Sequence, residues 1–103
     1  MPAIGRSALR KGRMFMDIVK NATAGTMESS DAYVEIVPAD QLNIQLESVV
    51  KQQFGQQIMD AVAQVLKENG VDKALVRVVD RGALECVIRA RVETAILRGK
   101  GDA

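Results

Sequence analysis

Between residues 42 and 66 the apolar residues of this chain change their period. Leu42-Asn43-Ile44-Gln45-Leu46-Glu47 alternates apolar and polar without a break, the pattern of a strand with one wet face. Val50, Phe54, Ile58, Ala61, Val62, Val65 and Leu66 then recur at helical spacing, which lines them along one side of a helix from about Val49 to Glu68. Gln52, Gln56, Gln57 and Lys67 fall outside that stripe. Ser48 is placed to N-cap the helix and Asn69-Gly70 to stop it. A half-wet strand followed by an amphipathic helix demands a sheet layer against a helix layer.

The flanking segments fill in those layers. Tyr33–Val37 is rich in β-branched residues and reads as a strand, and Pro38-Ala39-Asp40-Gln41 as the turn that joins it to 42–47 in a hairpin. Ala74–Asp80 is a further strand, closed by Arg81-Gly82. Residues 17–28 alternate weakly, as a short leading strand would. Ala83–Arg98 fits two periods: Leu84, Cys86, Ile88, Ala90 and Val92 alternate, while Leu84, Val87, Ile88, Val92, Ala95 and Ile96 share a helical face. Its length and its content of Ala, Leu, Arg and Glu favour a helix. The expectation is an α+β fold, an antiparallel sheet of three to four strands with two helices packed on one face, in the order β-β-β-α-β-α. Residues 16–98 form the domain, with a basic extension at 1–15 and a flexible tail at 99–103.

Composition removes several function classes. The chain has no His and no Trp, and its three aromatic residues are Phe15, Tyr33 and Phe54. Platforms that stack single-stranded nucleic acid need more aromatics, and the usual catalytic triad and His-type zinc site need a His. Net charge is +1, yet Arg6, Arg10, Lys11 and Arg13 stand in a head without acids, so residues 14–103 are mildly acidic. No apolar run approaches the ~18 residues of a membrane span. The single cysteine, Cys86, fits a reducing cytoplasm, and its apolar surroundings suggest a core position rather than a nucleophile. Arg91 and Arg98 lie seven apart, so a helix would turn both to one side, as a solvated face or toward an anionic partner.

One segment stands apart. Gly25-Thr26-Met27-Glu28-Ser29-Ser30-Asp31 sets two hydroxyls between two carboxylates, directly before a strand. Small polar residues there make a turn that holds side chains out to solvent. A serine nucleophile of an enzyme needs an adjacent base and an oxyanion hole. Nothing of that kind accompanies Ser29 or Ser30. Either is a plain turn serine or an acceptor to which another enzyme attaches a group.

The stretch Ala24-Gly25-Thr26-Met27-Glu28-Ser29-Ser30-Asp31 resembles the signature of the citrate lyase acyl carrier proteins, the gamma subunits of bacterial citrate lyase. Leu46–Gly55 is similar to the family's helix entry and Asp80–Glu93 to its C-terminal block, so the likeness runs from about Met16 to Arg98. The resemblance implies a covalent 2'-(5''-triphosphoribosyl)-3'-dephospho-CoA group held by a phosphodiester. Its attachment residue matches Ser29, since relatives can carry glycine at the position of Ser30. Glu28, Ser30 and Asp31 then become what a prosthetic-group transferase reads. The implied partners are the alpha subunit, an acyl transferase, and the beta subunit, a citryl lyase. With them the carrier's thiol holds acetyl and citryl thioesters while citrate is cleaved to acetate and oxaloacetate. The implied protein is a cytoplasmic carrier and not an enzyme, with no metal, membrane or nucleic-acid partner. Arg81 and Met27 depart from the lysine and leucine common in the family, keeping charge and volume. Two other readings stand beside this one: a malonate decarboxylase-type carrier, which typically has a glycine-flanked serine, and a small α+β module that binds nucleic acid or protein through its basic head.

Overall fold

The computed structural model describes residues 17–101. The extension expected at 1–15 lies outside the described residues. Six elements follow the expected order: β1 (Ala22–Gly25), β2 (Ala32–Pro38), β3 (Asn43–Ser48), α1 (Lys51–Glu68), β4 (Ala74–Asp80) and α2 (Glu85–Gly99). The α+β class holds.

The strand pairing differs from expectation. The sheet runs β1-β2-β4-β3, so β2 and β3 form no hairpin. β4 lies between them, antiparallel to β2 and parallel to β3, which makes the sheet mixed rather than wholly antiparallel. The reason is burial. Ala74, Val76, Val78 and Asp80 line the buried face of β4, and Val79 on the other face is closed off as well, which suits a strand with a neighbour on each side. β3 has only one apolar face and suits an edge. Parallel neighbours cannot be joined by a tight turn, so α1 serves as the crossover between β3 and β4.

The register sets one face of the sheet. Ala24, Val34, Val78 and Leu46 lie across it in one row, Ala22, Ile36, Val76 and Ile44 in the next. Both helices cover this face. α2 lies over β1 and β2, and α1 over β3 and against α2. Ile58, Ala61, Val62, Val65 and Leu66 of the expected α1 stripe are buried, and Ile88, Val92, Ala95 and Ile96 of α2 meet them. Burial of each Val, Leu or Ile among them contributes about 1.5–3 kcal/mol against the ordering entropy. Phe54, in the first turn of α1, is 46% exposed and is the member of the expected stripe that stays out of the core.

Three local expectations need correction. Ser48 does not cap α1. The N-cap is Val50, two residues later, and the Ser48 hydroxyl accepts from the Val50 N–H at 3.1 Å while donating to Asp80 Oδ2 at 2.7 Å. Cys86 is exposed, not core: with Ile88, Val92 and Ala95 turned inward, a residue two before Ile88 faces the opposite side of α2. Gly99, the first residue of the expected tail at 99–103, is not frayed, and 102–103 lie outside the described residues. Gly99 is buried as the last residue of α2, and its carbonyl accepts from Val19 and Lys20 N–H groups at 2.9 and 3.2 Å. At the end of α1 the expected stop is present. Gly70 has φ +70°, its N–H donates to the Lys67 carbonyl, and the Val71 N–H donates to that of Leu66.

Candidate functional site: the serine turn at the end of the sheet

β1 ends, β2 begins, and β3 and β4 both end at the same edge of the sheet, where Ala32, Asp80 and Ser48 are partners in register. The segment 26–31 crosses this edge. Its shape begins at Gly25, whose φ is +87°. A Cβ there would run into the Ala32 carbonyl and against Arg91, so the chain can pass only as glycine. The turn proper is Glu28-Ser29-Ser30-Asp31, closed by Asp31 N–H donating to the Glu28 carbonyl at 3.1 Å. Ser30, at its third position, has φ +68°. That position favours glycine.

Ser29 sits at the corner, exposed with its neighbours Met27, Glu28 and Ser30. Among the described residues its hydroxyl has no hydrogen-bond partner. The turn beneath it is pinned. Ser30 N–H donates to the Arg81 carbonyl at 2.8 Å and Arg81 N–H to the Asp31 carbonyl at 3.0 Å, which extends the β2–β4 ladder to the foot of the turn.

Asp31 organises the rest. Its Oδ2 accepts from the Thr26 hydroxyl at 2.7 Å, and its Oδ1 from the Ala32 N–H at 2.7 Å. Arg91, on α2, donates to both oxygens, from Nε at 3.0 Å and Nη2 at 3.2 Å. The Thr26 hydroxyl in turn accepts from the Glu28 N–H at 3.2 Å. The Thr26 hydroxyl, the Arg91 guanidinium and the Ala32 N–H together hold the carboxyl down from 3.8 to about 2. A carboxylate this acidic and this fully engaged is a poor proton acceptor. It fixes the turn and does not activate Ser29.

Asp80 holds the neighbouring turn in the same manner. It is the buried polar residue of the core, 1% exposed, and its Oδ1 accepts from Gly82 and Ala83 N–H groups at 3.0 and 2.8 Å. The Ser48 hydroxyl fills Oδ2.

The structure thus keeps Glu28, Ser29, Ser30 and Asp31 on one turn and adds Gly25, Thr26, Arg91 and Asp80. Arg91 does meet an anion, but it is Asp31 of its own chain. Arg98, its companion seven residues on, donates to the Thr23 carbonyl of β1 at 2.8 Å. No group of three or more His, Cys, Asp or Glu that could hold a metal is present among the described residues.

Comparison with known proteins decides the family. A family profile described as the malonate decarboxylase delta subunit (MdcD), an acyl carrier family, matches residues 19–99. The citrate lyase acyl carrier protein 2 of Salmonella typhimurium is 52% identical over 85 residues, spanning 81% of this chain and 88% of its own. The citrate lyase acyl carrier protein of Haemophilus influenzae strain PittEE is 51% identical over 87 residues, or 84% and 92% of the two chains. This chain belongs to the citrate lyase acyl carrier protein family. As a member it is an acyl carrier, the bearer of a covalent group and not the enzyme that acts on it. Its fold also matches a chain of a Pseudomonas malonate decarboxylase hetero-tetramer solved with malonate, at TM-score 0.71 and 21% identity, over 80% of this chain and 86% of that one. The naming of such relatives places a carrier of this kind in an enzyme complex.

The residues of the turn fit a covalently attached group. The Ser29 side chain is accessible and unengaged among the described residues, and the backbone that carries it is held by the ladder below and by Asp31 from the side.

Proposed function

We propose that Ser29 is the attachment residue and that the chain serves citrate lyase as its carrier, bearing a group derived from 2'-(5''-triphosphoribosyl)-3'-dephospho-CoA. The observation that carries this reading is the contrast within the turn. Ser29 is exposed and its hydroxyl has no partner among the described residues, whereas Thr26, Asp31 and Arg91 beside it are engaged with one another. Attachment exchanges the Ser29 O–H for a phosphodiester, with diphosphate leaving from the triphosphate. The hydroxyl proton goes to a base of the transferase, since Asp31 is too acidic to take it. When bound, the group supplies a terminal thiol that holds acyl groups as thioesters.

The rest is the work of this chain's own residues. Thr26, Asp31 and Arg91 keep the root of the arm in one place, while the arm supplies reach. A tethered thiol at a fixed root turns its encounters with the alpha and beta subunits into near-intramolecular events. Glu28 and Ser30 flank the hydroxyl as the side chains a transferase reads. Asp31 contributes through the shape it imposes.

The malonate decarboxylase reading is favoured by the family profile, the citrate lyase reading by identities near one half with proteins so named. Co-expression with each set of partner subunits distinguishes them. Citrate lyase activity with an adduct on the peptide spanning Ser29, both absent in Ser29→Ala, is the expected result. An active lyase whose carrier bears no adduct on that peptide would overturn it. The phosphopantetheine transferase of ordinary helical carriers, which reads a serine at a helix start, should leave the mass unchanged.

A further inference from the structure

α2 leaves the serine turn and runs back along β1, carrying basic side chains with it. Arg91 lies at the turn and Arg98 two helical turns, about 10 Å, further on. There Lys20, Asn21, Ala22, Thr23 and Arg98 line a groove of about 400 Å³ on the outer edge of β1. β1 is the sheet's edge strand, and its Thr23 carbonyl points away from β2 to accept from Arg98. The N–H of a strand residue leaves on the same side as its carbonyl, so the Thr23 N–H opens onto this groove too. Arg98 uses one of its five N–H donors on Thr23. Lys20 is exposed, and its ammonium has no partner among the described residues. Of the acids nearby, Glu35 is in register with Thr23 and pairs with Arg77 at 3.9 Å, and Asp17 is exposed three residues before Lys20.

We propose that this groove seats the diphosphate of the arm rooted at Ser29 when no partner enzyme holds the arm. The proposal rests on the attachment reading above. In a dephospho-CoA derivative joined through a 5''-phosphoribosyl unit, two riboses separate the diphosphate from the Ser29 phosphodiester. That is a reach comparable with the two helical turns from Arg91 to Arg98. Two cations, the Asn21 amide and an edge N–H suit a diphosphate, and Arg91 lies on the path between. A surface site of this kind is weak in free solution, but a tether raises the local concentration to the millimolar range, enough to populate it. A seated arm keeps its thiol beside the carrier, and a partner enzyme releases it by competing for the diphosphate.

The test is amide NMR on apo and loaded protein, with peptide mass spectrometry confirming the adduct on Ser29 in each loaded sample. Loading should shift the amides of Lys20–Thr23 as well as those of 26–31, and 0.5 M salt should reverse the former alone. Lys20→Gln, which disturbs no bond among the described residues, should lower the seated fraction about threefold, and Lys20→Gln with Arg98→Gln about tenfold. Arg98→Lys, which keeps the charge, should sit between wild type and the double variant. Shifts confined to 26–31, or shifts at Lys20–Thr23 that survive the double substitution, would overturn the seat. Free dephospho-CoA added at millimolar concentration to Ser29→Ala separates the two claims. It should still move Lys20–Thr23, even if the adduct proves to lie on another residue. No movement there rejects the groove whatever the attachment site.

Discussion

Asp31 and Asp80 stand at the same edge of the sheet, each with both oxygens occupied, and they do different work. Asp80 is 1% exposed and bonded only to neutral donors, the Ser48 hydroxyl and two backbone N–H groups. It ties β3, β4 and the start of α2 together from inside the core. Asp31 is 16% exposed, bound to a guanidinium and a hydroxyl, and ties the serine turn to the outside of α2. One carboxylate holds the scaffold and the other holds the mount on it. The difference teaches how a small carrier can present a serine freely yet in a fixed place: the rigidity is supplied by groups that never touch the serine.

Asp80→Ala should have the largest effect. It leaves the Ser48 hydroxyl and two N–H donors without their acceptor in a closed environment, at a cost of about 3 kcal/mol. The urea midpoint should fall with little change in slope. If it moves no more than for a surface substitution, the scaffold role of Asp80 is wrong.

Asp31→Asn should cost less overall, with the loss concentrated in the turn. Amide exchange at Ser30 and Asp31 should rise while β4 stays protected. The pH dependence follows from the lowered carboxyl. Unfolded, Asp31 titrates near 3.8; folded, near 2. Its contribution is fully present above pH 4 and is lost as the pH falls through 2. Wild type should therefore lose stability over that window more steeply than Asp31→Asn. Parallel acid profiles would break the contrast between the two carboxylates.

How much of this was legible in the sequence depends on distance along the chain. The alternation at 42–47, the stripe at 50–66 and the Asn69-Gly70 stop are local signals, and the elements formed there. The pairing of β2 with β4 was not legible. Those strands are separated by a strand and a helix, and the short turn at 38–41 looked like a hairpin. The available sign was the run Val78-Val79-Asp80 at the end of β4, where burial stops alternating. Ser29 at an exposed corner was readable from small polar residues before a strand. The brace was not, because Arg91 lies sixty positions from Asp31. Cys86 misled for a related reason: over a few residues the strand and helix periods share Leu84 and Ile88, and only the phase of the whole helix sends Cys86 outward.

The smallest expected effect sharpens the picture of the mount. Ser30 holds φ +68°, a conformation that strains a residue with a Cβ. Ser30→Gly should relieve that strain and, after the added chain entropy, stabilise the fold by about 0.5 kcal/mol without loss of loading. Thermal unfolding with intact mass on the same sample reads both. A destabilised variant would show that the Ser30 side chain supports the turn.

The central claim is that one of two adjacent serines is the attachment point because the turn presents it. The direct measurement is intact and peptide mass of wild type, Ser29→Ala and Ser30→Ala purified side by side from cells supplying the citrate lyase subunits and the prosthetic-group transferase. The account predicts a full adduct on wild type and Ser30→Ala and none on Ser29→Ala. An adduct that persists in Ser29→Ala and disappears in Ser30→Ala would contradict it.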